Sequence, residues 1–136
     1  YWKTGDNEAM QIKKNSDGTV TLISYVVDPE TKKLEVDGEP APMYFTTIIN
    51  KRDTCHFFSI ETMLKMQKCY TNTRFYISSA GALVTQNIKA EFMGKTHKAD
   101  ENGVINFGSS EKFRAFIKAN LNDPDLYEPK ESVTRF

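Results

Sequence analysis

Two histidines and two cysteines are the side chains here best suited to move protons or attack carbon near neutral pH: His56 and His97, Cys55 and Cys69. Cys55 and His56 are adjacent, and neighbouring residues of a strand point to opposite faces, so they cannot form a thiol–imidazole pair. His97 lies in the polar run 94–103 and reads as solvated. A phosphate-binding loop needs clustered glycines ahead of a helix, whereas the seven glycines are scattered and Gly108 stands alone. No Gly-x-Ser-x-Gly elbow occurs. Glu30, Glu35, Asp37, Glu39, Asp100 and Glu101 sit in turn-like polar runs, as solvated carboxylates do. No catalytic residue is assigned, no cofactor is expected, and the chain reads as a binding protein rather than an enzyme.

Soft ligands for copper(I) are present in Cys55, His56, Met63, Met66, Cys69 and Met93. No repeated spacing fixes them as a ligand set, and Met63-x-x-Met66 has the spacing of ordinary helical core residues. No metal site is expected. The favoured reading of Cys55 and Cys69 is a disulfide closing a loop of about 15 residues, worth ~3 kcal/mol in the chain-entropy model. That bond would place the domain in an oxidising compartment such as the periplasm; two free thiols of a cytosolic protein are the alternative.

Aromatic residues supply 12% of the chain, and Tyr25, Tyr44, Phe45, Phe57, Phe58, Phe75 and Tyr76 all fall on expected strands. Tyr44/Phe45, Phe57/Phe58 and Phe75/Tyr76 are neighbours pointing to both faces of a sheet. If one member of each pair fills the core, the other is free for a partner or an apolar ligand. A sheet covered on both faces is the competing reading.

The elements that would carry these residues follow from local pattern. Asp17-Gly18 marks a hairpin turn between an alternating segment 10–13 and the β-branched run 19–27. Residues 34–36 form a short strand before Pro40 and Pro42, and 43–49 pairs with 54–58 as a second hairpin. Ile60, Met63, Leu64 and Gln67 have helical spacing behind a possible Ser59 cap, so a helix is expected over 60–69. Strands follow at 74–77, from Ala82 on towards Phe92, and at 104–107. Ser109 caps a helix whose Phe113, Phe116, Ile117 and Leu121 line one face until Asn122-Asp123-Pro124. In the tail only Val133 and Phe136 are candidates to return to the core. The expected fold is α+β, with a mostly antiparallel, curved or barrel-like sheet of about seven or eight strands and two helices.

At 136 residues with 39% hydrophobic and 26% charged side chains, residues 1–136 form one folded domain. Eighteen basic residues balance eighteen acidic ones, which argues against non-specific nucleic-acid binding. The opening Tyr1-Trp2-Lys3 has the composition of a membrane-interface edge, so a transmembrane anchor is expected ahead of it.

Phe75-x-Ile77-Ser78-x-x-x-x-Leu83-Val84-Thr85, the Tyr1-Trp2 opening, and the Ser110-Glu111 helix start followed by Phe113 and Ile117 resemble the ToxS family of periplasmic co-regulators. The size and paired cysteines also suit the related PsaF and MyfF fimbrial accessory regulators. The resemblance covers about a third of the chain. It implies a domain on the periplasmic side of the bacterial inner membrane that heterodimerises with a membrane-bound transcription activator. It also implies a barrel-like body able to take up a small amphipathic ligand, in the control of virulence or fimbrial genes. The alternative is likeness in element order to NosL-type periplasmic copper chaperones, carried by the 43–58 hairpin and Lys89-Ala90-Glu91-Phe92-Met93-Gly94; that family's Cys-Gly-Met motif is absent.

Overall fold

A computed structural model describes residues 1–135; Phe136, expected as a core candidate, lies outside them. The turn at Gly18, whose φ of 88° suits a residue without Cβ, joins β2 (Glu8–Lys14) to β3 (Val20–Val27). The expected 43–58 hairpin forms between β5 (Ala41–Asn50) and β6 (Asp53–Leu64). Next come β7 (Gln67–Ile77) and β8 (Leu83–Asn87), each antiparallel to its predecessor.

Closure of the sheet comes from the two ends of the chain. β1 (Trp2–Gly5) pairs with β2 on one edge and with β9 (Glu131–Arg135) on the other, and β9 also pairs with β8. Eight strands thereby form a closed antiparallel barrel in the cyclic order β1, β2, β3, β5, β6, β7, β8, β9. The ninth strand, β4 (Leu34–Val36), lies along the end of β3, while the start of β5 lies along the beginning of the same edge. β4 and β5 are thus nearly one strand, broken at Asp37-Gly38-Glu39-Pro40, where Gly38 takes a φ of 78° and Pro40 has no N–H to donate.

Two helices and a 3-10 turn occupy the excursion between β8 and β9: α1 (Ala90–Gly94), α2 (Ser110–Ala119) and Pro124–Leu126. Ser109 caps α2 as its sequence suggests, its side chain accepting from the Lys112 N–H. Ile117 and Leu121 are 1% exposed and pack with Leu126 and Tyr127 onto Ile48, Cys55 and Phe57 of the β5–β6 hairpin. An eight-stranded barrel is too narrow to enclose a helix together with its own side chains. The helices therefore sit outside, and Ile48, Cys55 and Phe57 are outward-facing. By alternation, Met43, Phe45, Phe58, Thr73, Phe75 and Leu83 line the inside.

Several expectations fail. Residues 60–69 are not a helix: they are the ends of β6 and β7 joined by the two-residue turn Lys65-Met66. The helical spacing of Ile60, Met63 and Leu64 loses to continuation of two strands already paired in register from His56 and Phe75. The strand starting near Ala82 stops at Asn87, and 90–94 is the short helix α1. Residues 104–107 form only a bridge, Ala99 to Ile105. The tail, where no strand was expected, supplies the closing strand β9, and its core candidate Val133 lies opposite Leu83 on the inner face.

Candidate functional site

Cys55 and Cys69 are both free thiols. Cys55 points outward under α2, while Cys69 lies opposite Thr62, on the inner face of the sheet and far down the hairpin towards its tip. A disulfide requires Cα atoms within roughly 7 Å and converging Cβ vectors, and this arrangement offers neither. The expected bond is corrected by the sheet register that separates the two residues.

His56 points opposite to Cys55, with Nδ1 3.0 Å from the Thr47 hydroxyl and its ring 6.1 Å from that of Phe75. His97 is not a solvated loop residue. Its ring lies 4.1 Å from Phe107 and 5.4 Å from Phe116, inside a cluster completed by Phe92 and Phe113. This cluster holds the 95–108 loop against α2, and the polar composition of the loop gave no sign of it. Met63 and Met66 are exposed on the hairpin tip and Met93 packs against the outer core, so the soft side chains are dispersed. Among the described residues no three His, Cys, Asp or Glu side chains gather as metal ligands.

The seven aromatics singled out from sequence divide into three groups. Phe45, Phe58 and Phe75 come together on the inner face with ring centroids 5.4–6.3 Å apart. Phe57 is 3% exposed beneath α2. Tyr25, Tyr44 and Tyr76 lie on the outer surface: Tyr25 stacks edge-on with Tyr1 and donates to Gln11 Oε1, and Lys130 Nζ sits over Tyr76. Only Phe75/Tyr76 approaches a split of one ring inside and one free, with Phe75 partly buried and Tyr76 exposed. Both members of Phe57/Phe58 are buried, on opposite faces, and both members of Tyr44/Phe45 are exposed.

The inner triad sits near one mouth of the barrel. Phe45 is 47% exposed there, and the strand ends carry Ile49 and Ile77, 57% and 54% exposed. A shallow hollow of about 370 Å³ lies on the same rim between Ile77, the Ala80–Ala82 turn and Arg135. Further inside, Trp2, Met10, Ile12, Leu22 and Ile60 are only partly buried, while Thr73 donates to Asn87 on the same face, so the lumen is mixed in character and incompletely filled. Ring content alone does not single out Ile49 and Ile77; the signal that marks them is the strand parity they share with Phe45 and Phe75.

At the other end, the β6–β7 hairpin runs beyond its neighbours as a two-stranded arm. β5 pairs with β6 only as far as Ile60, and β8 pairs with β7 only from Thr73 onward. On its outer face Tyr70 and Tyr44 both donate to Glu61 Oε1, at 3.1 and 3.5 Å. Desolvation and the Glu61 carboxylate hold the Tyr70 phenol above its usual pKa. Met66 at the tip is 95% exposed and Met63 62%. Among the described residues no helix is long and apolar enough to cross a membrane. No family model, curated protein or solved structure matches the chain.

Proposed function

We propose that this domain is a non-enzymatic accessory or sensor module whose barrel mouth docks a partner protein and takes up a small amphipathic ligand. The carrying observation is the unsealed mouth in which Phe45, Phe75, Ile49 and Ile77 surround the Thr47–His56 pair, over a partly exposed inner wall. Soluble monomers seldom leave such surface open without an occupant. The sequence resemblance supplies the kind of partner: the periplasmic domain of a membrane-bound transcription activator, with this domain on the periplasmic side of the inner membrane.

Supporting this reading is the total accessible surface, 9407 Å². A compact monomer of 15.5 kDa would expose about 7,200 Å². The surplus exceeds the roughly 800 Å² that each side of a standard interface buries.

Trp2 is the sole tryptophan and lies on the inner face, so its fluorescence reports the lumen. Titration with a bile salt below its micellar concentration is expected to shift Trp2 emission to the blue, and F45D to abolish the shift. Co-expression with the product of the adjacent gene is expected to yield a complex that F45D disrupts. An unresponsive Trp2, together with two proteins that purify apart, would refute the reading.

A further inference from the structure

The free edge of the projecting arm points to a second use of this chain, one that does not depend on the mouth. In a two-residue hairpin the residues flanking the turn bond to each other, so Gln67, and by alternation Cys69 and Thr71, direct their N–H and C=O towards β6. Lys68 and Tyr70 direct theirs outward. The Asn72 carbonyl agrees with this parity, since it accepts the Ile88 N–H on the β8 side at 3.1 Å. Among the described residues that outer edge has no neighbouring strand from Gln67 to Thr71, and its midpoint is Cys69.

We propose that two copies of this chain associate through this edge, as a four-stranded β6-β7-β7-β6 sheet with a two-fold axis at Cys69. An antiparallel pairing that uses the whole edge sets Lys68 against Tyr70 of the second copy, and Tyr70 against Lys68. Each pair exchanges two main-chain hydrogen bonds. Lys68 would ordinarily blunt an edge; in this register it lands beside the partner's Tyr70, which already holds the Glu61 carboxylate. The match of base to acid is made twice by symmetry. Met66 reaches the position opposite Asn72 of the second copy, where pairing with β8 resumes, so tip and edge end together. The chain's surplus of exposed surface is ample for an interface of this kind.

The two-fold axis makes the pairing readable chemically. Cys69 meets Cys69 of the second copy at a non-hydrogen-bonded site, where Cα atoms approach to about 4.5 Å, inside the roughly 4.4–6.8 Å range of disulfides. With oxidised glutathione as oxidant, one Cys69 thiolate attacks the glutathione disulfide and releases a glutathione thiolate. The second Cys69 thiolate then attacks the mixed disulfide and releases another. Two protein thiols are oxidised and one glutathione disulfide is reduced to two thiols. Cys55, 5% exposed, stays out of reach.

The 136-residue chain is examined by sedimentation velocity up to about 0.1 mM, and by non-reducing electrophoresis after incubation with oxidised glutathione. A concentration-dependent dimer is expected, with a cross-link that C69S abolishes. K68E brings like charges together and should slow cross-linking by about tenfold, while the charge-swapped double variant E61K/K68E restores it. F45D, altered only at the mouth, should cross-link like the unaltered chain, which separates failure of this inference from failure of the mouth reading. A monomer throughout the concentration range, or cross-linking indifferent to K68E, would overturn the proposal.

Discussion

Asp28 shows how a single side chain turns local hydrogen bonding into pH dependence. It follows β3, and its Oδ1 accepts the N–H groups of Glu30 and Thr31, each at 2.8 Å, pinning the turn that leads to β4. Those backbone donors favour the ionised carboxylate and lower its pKa from 3.8. A group with a lowered folded-state pKa stabilises the fold fully above its unfolded value and loses that contribution as pH falls through the folded value. Acidification below pH 3.8 should therefore loosen this turn. D28N keeps an acceptor but removes the titration, so urea midpoints of the two proteins should converge as pH drops below that point. Parallel curves would show that Asp28 adds nothing. At the same scale, the cysteines show the limit of counting: an even number permits a bond, but parity and register decide whether two sulfurs can meet, and here they place them apart.

Among the elements, the arm is the one whose local sequence opposes its shape. Lys65 and Met66 have φ of 48° and 68°, both in the left-handed region that a type I′ turn requires. Neither residue favours that region, where an ordinary side chain costs roughly 1–2 kcal/mol. Replacement by Asn-Gly supplies the preferred pair, and K65N/M66G is expected to stabilise the chain by about 2 kcal/mol. Equilibrium urea denaturation measures this, and an unchanged or lower midpoint would mean that the side chains of Lys65 and Met66 contribute packing that offsets the strain. The absence of Asn-Gly is also why the sequence read as a helix here. Without a turn signal, the apolar residues 60, 63 and 64 show helical spacing, although they belong to both faces of a ribbon exposed on each side. α2 is the contrary case: cap, amphipathic face and terminator agree, and the helix forms where they indicate.

At the scale of the molecule, stability is unevenly distributed around the barrel. Long registers join β5 to β6 and β6 to β7, and the helices cover the β5–β6 hairpin. Closure depends on short stretches instead: Leu83–Thr85 against β9, Trp2-Lys3 against β9, and Val20–Leu22 against the start of β5. Local opening should begin at these seams. In native-state hydrogen exchange, amides of β1 and β9 are expected to exchange well before those of β6 around Cys55–Phe58. Uniform protection around all eight strands would contradict this order and would indicate a sealed barrel. A seam that opens readily would also give the proposed ligand a route to the inner wall lined by Trp2, Met10 and Ile12.

The hairpins of 10–13 with 19–27 and of 43–58, the capped helix at 110–119 and the curved antiparallel sheet were legible in the sequence, because each rests on contacts between near neighbours: turn residues, β-branched alternation, a Ser cap and a helical stripe. Closure by β1 and β9, the extension of β6 and β7 into an arm, and packing of His97 against phenylalanines were not, since each depends on pairing or packing between segments far apart in the chain. The candidate site divides along the same line. That rings crowd the strands of this protein is a property of its composition. Which rings face inward, which lie beneath α2 and which remain open to solvent was decided only when the barrel closed, because closure is what gives each strand an inside and an outside.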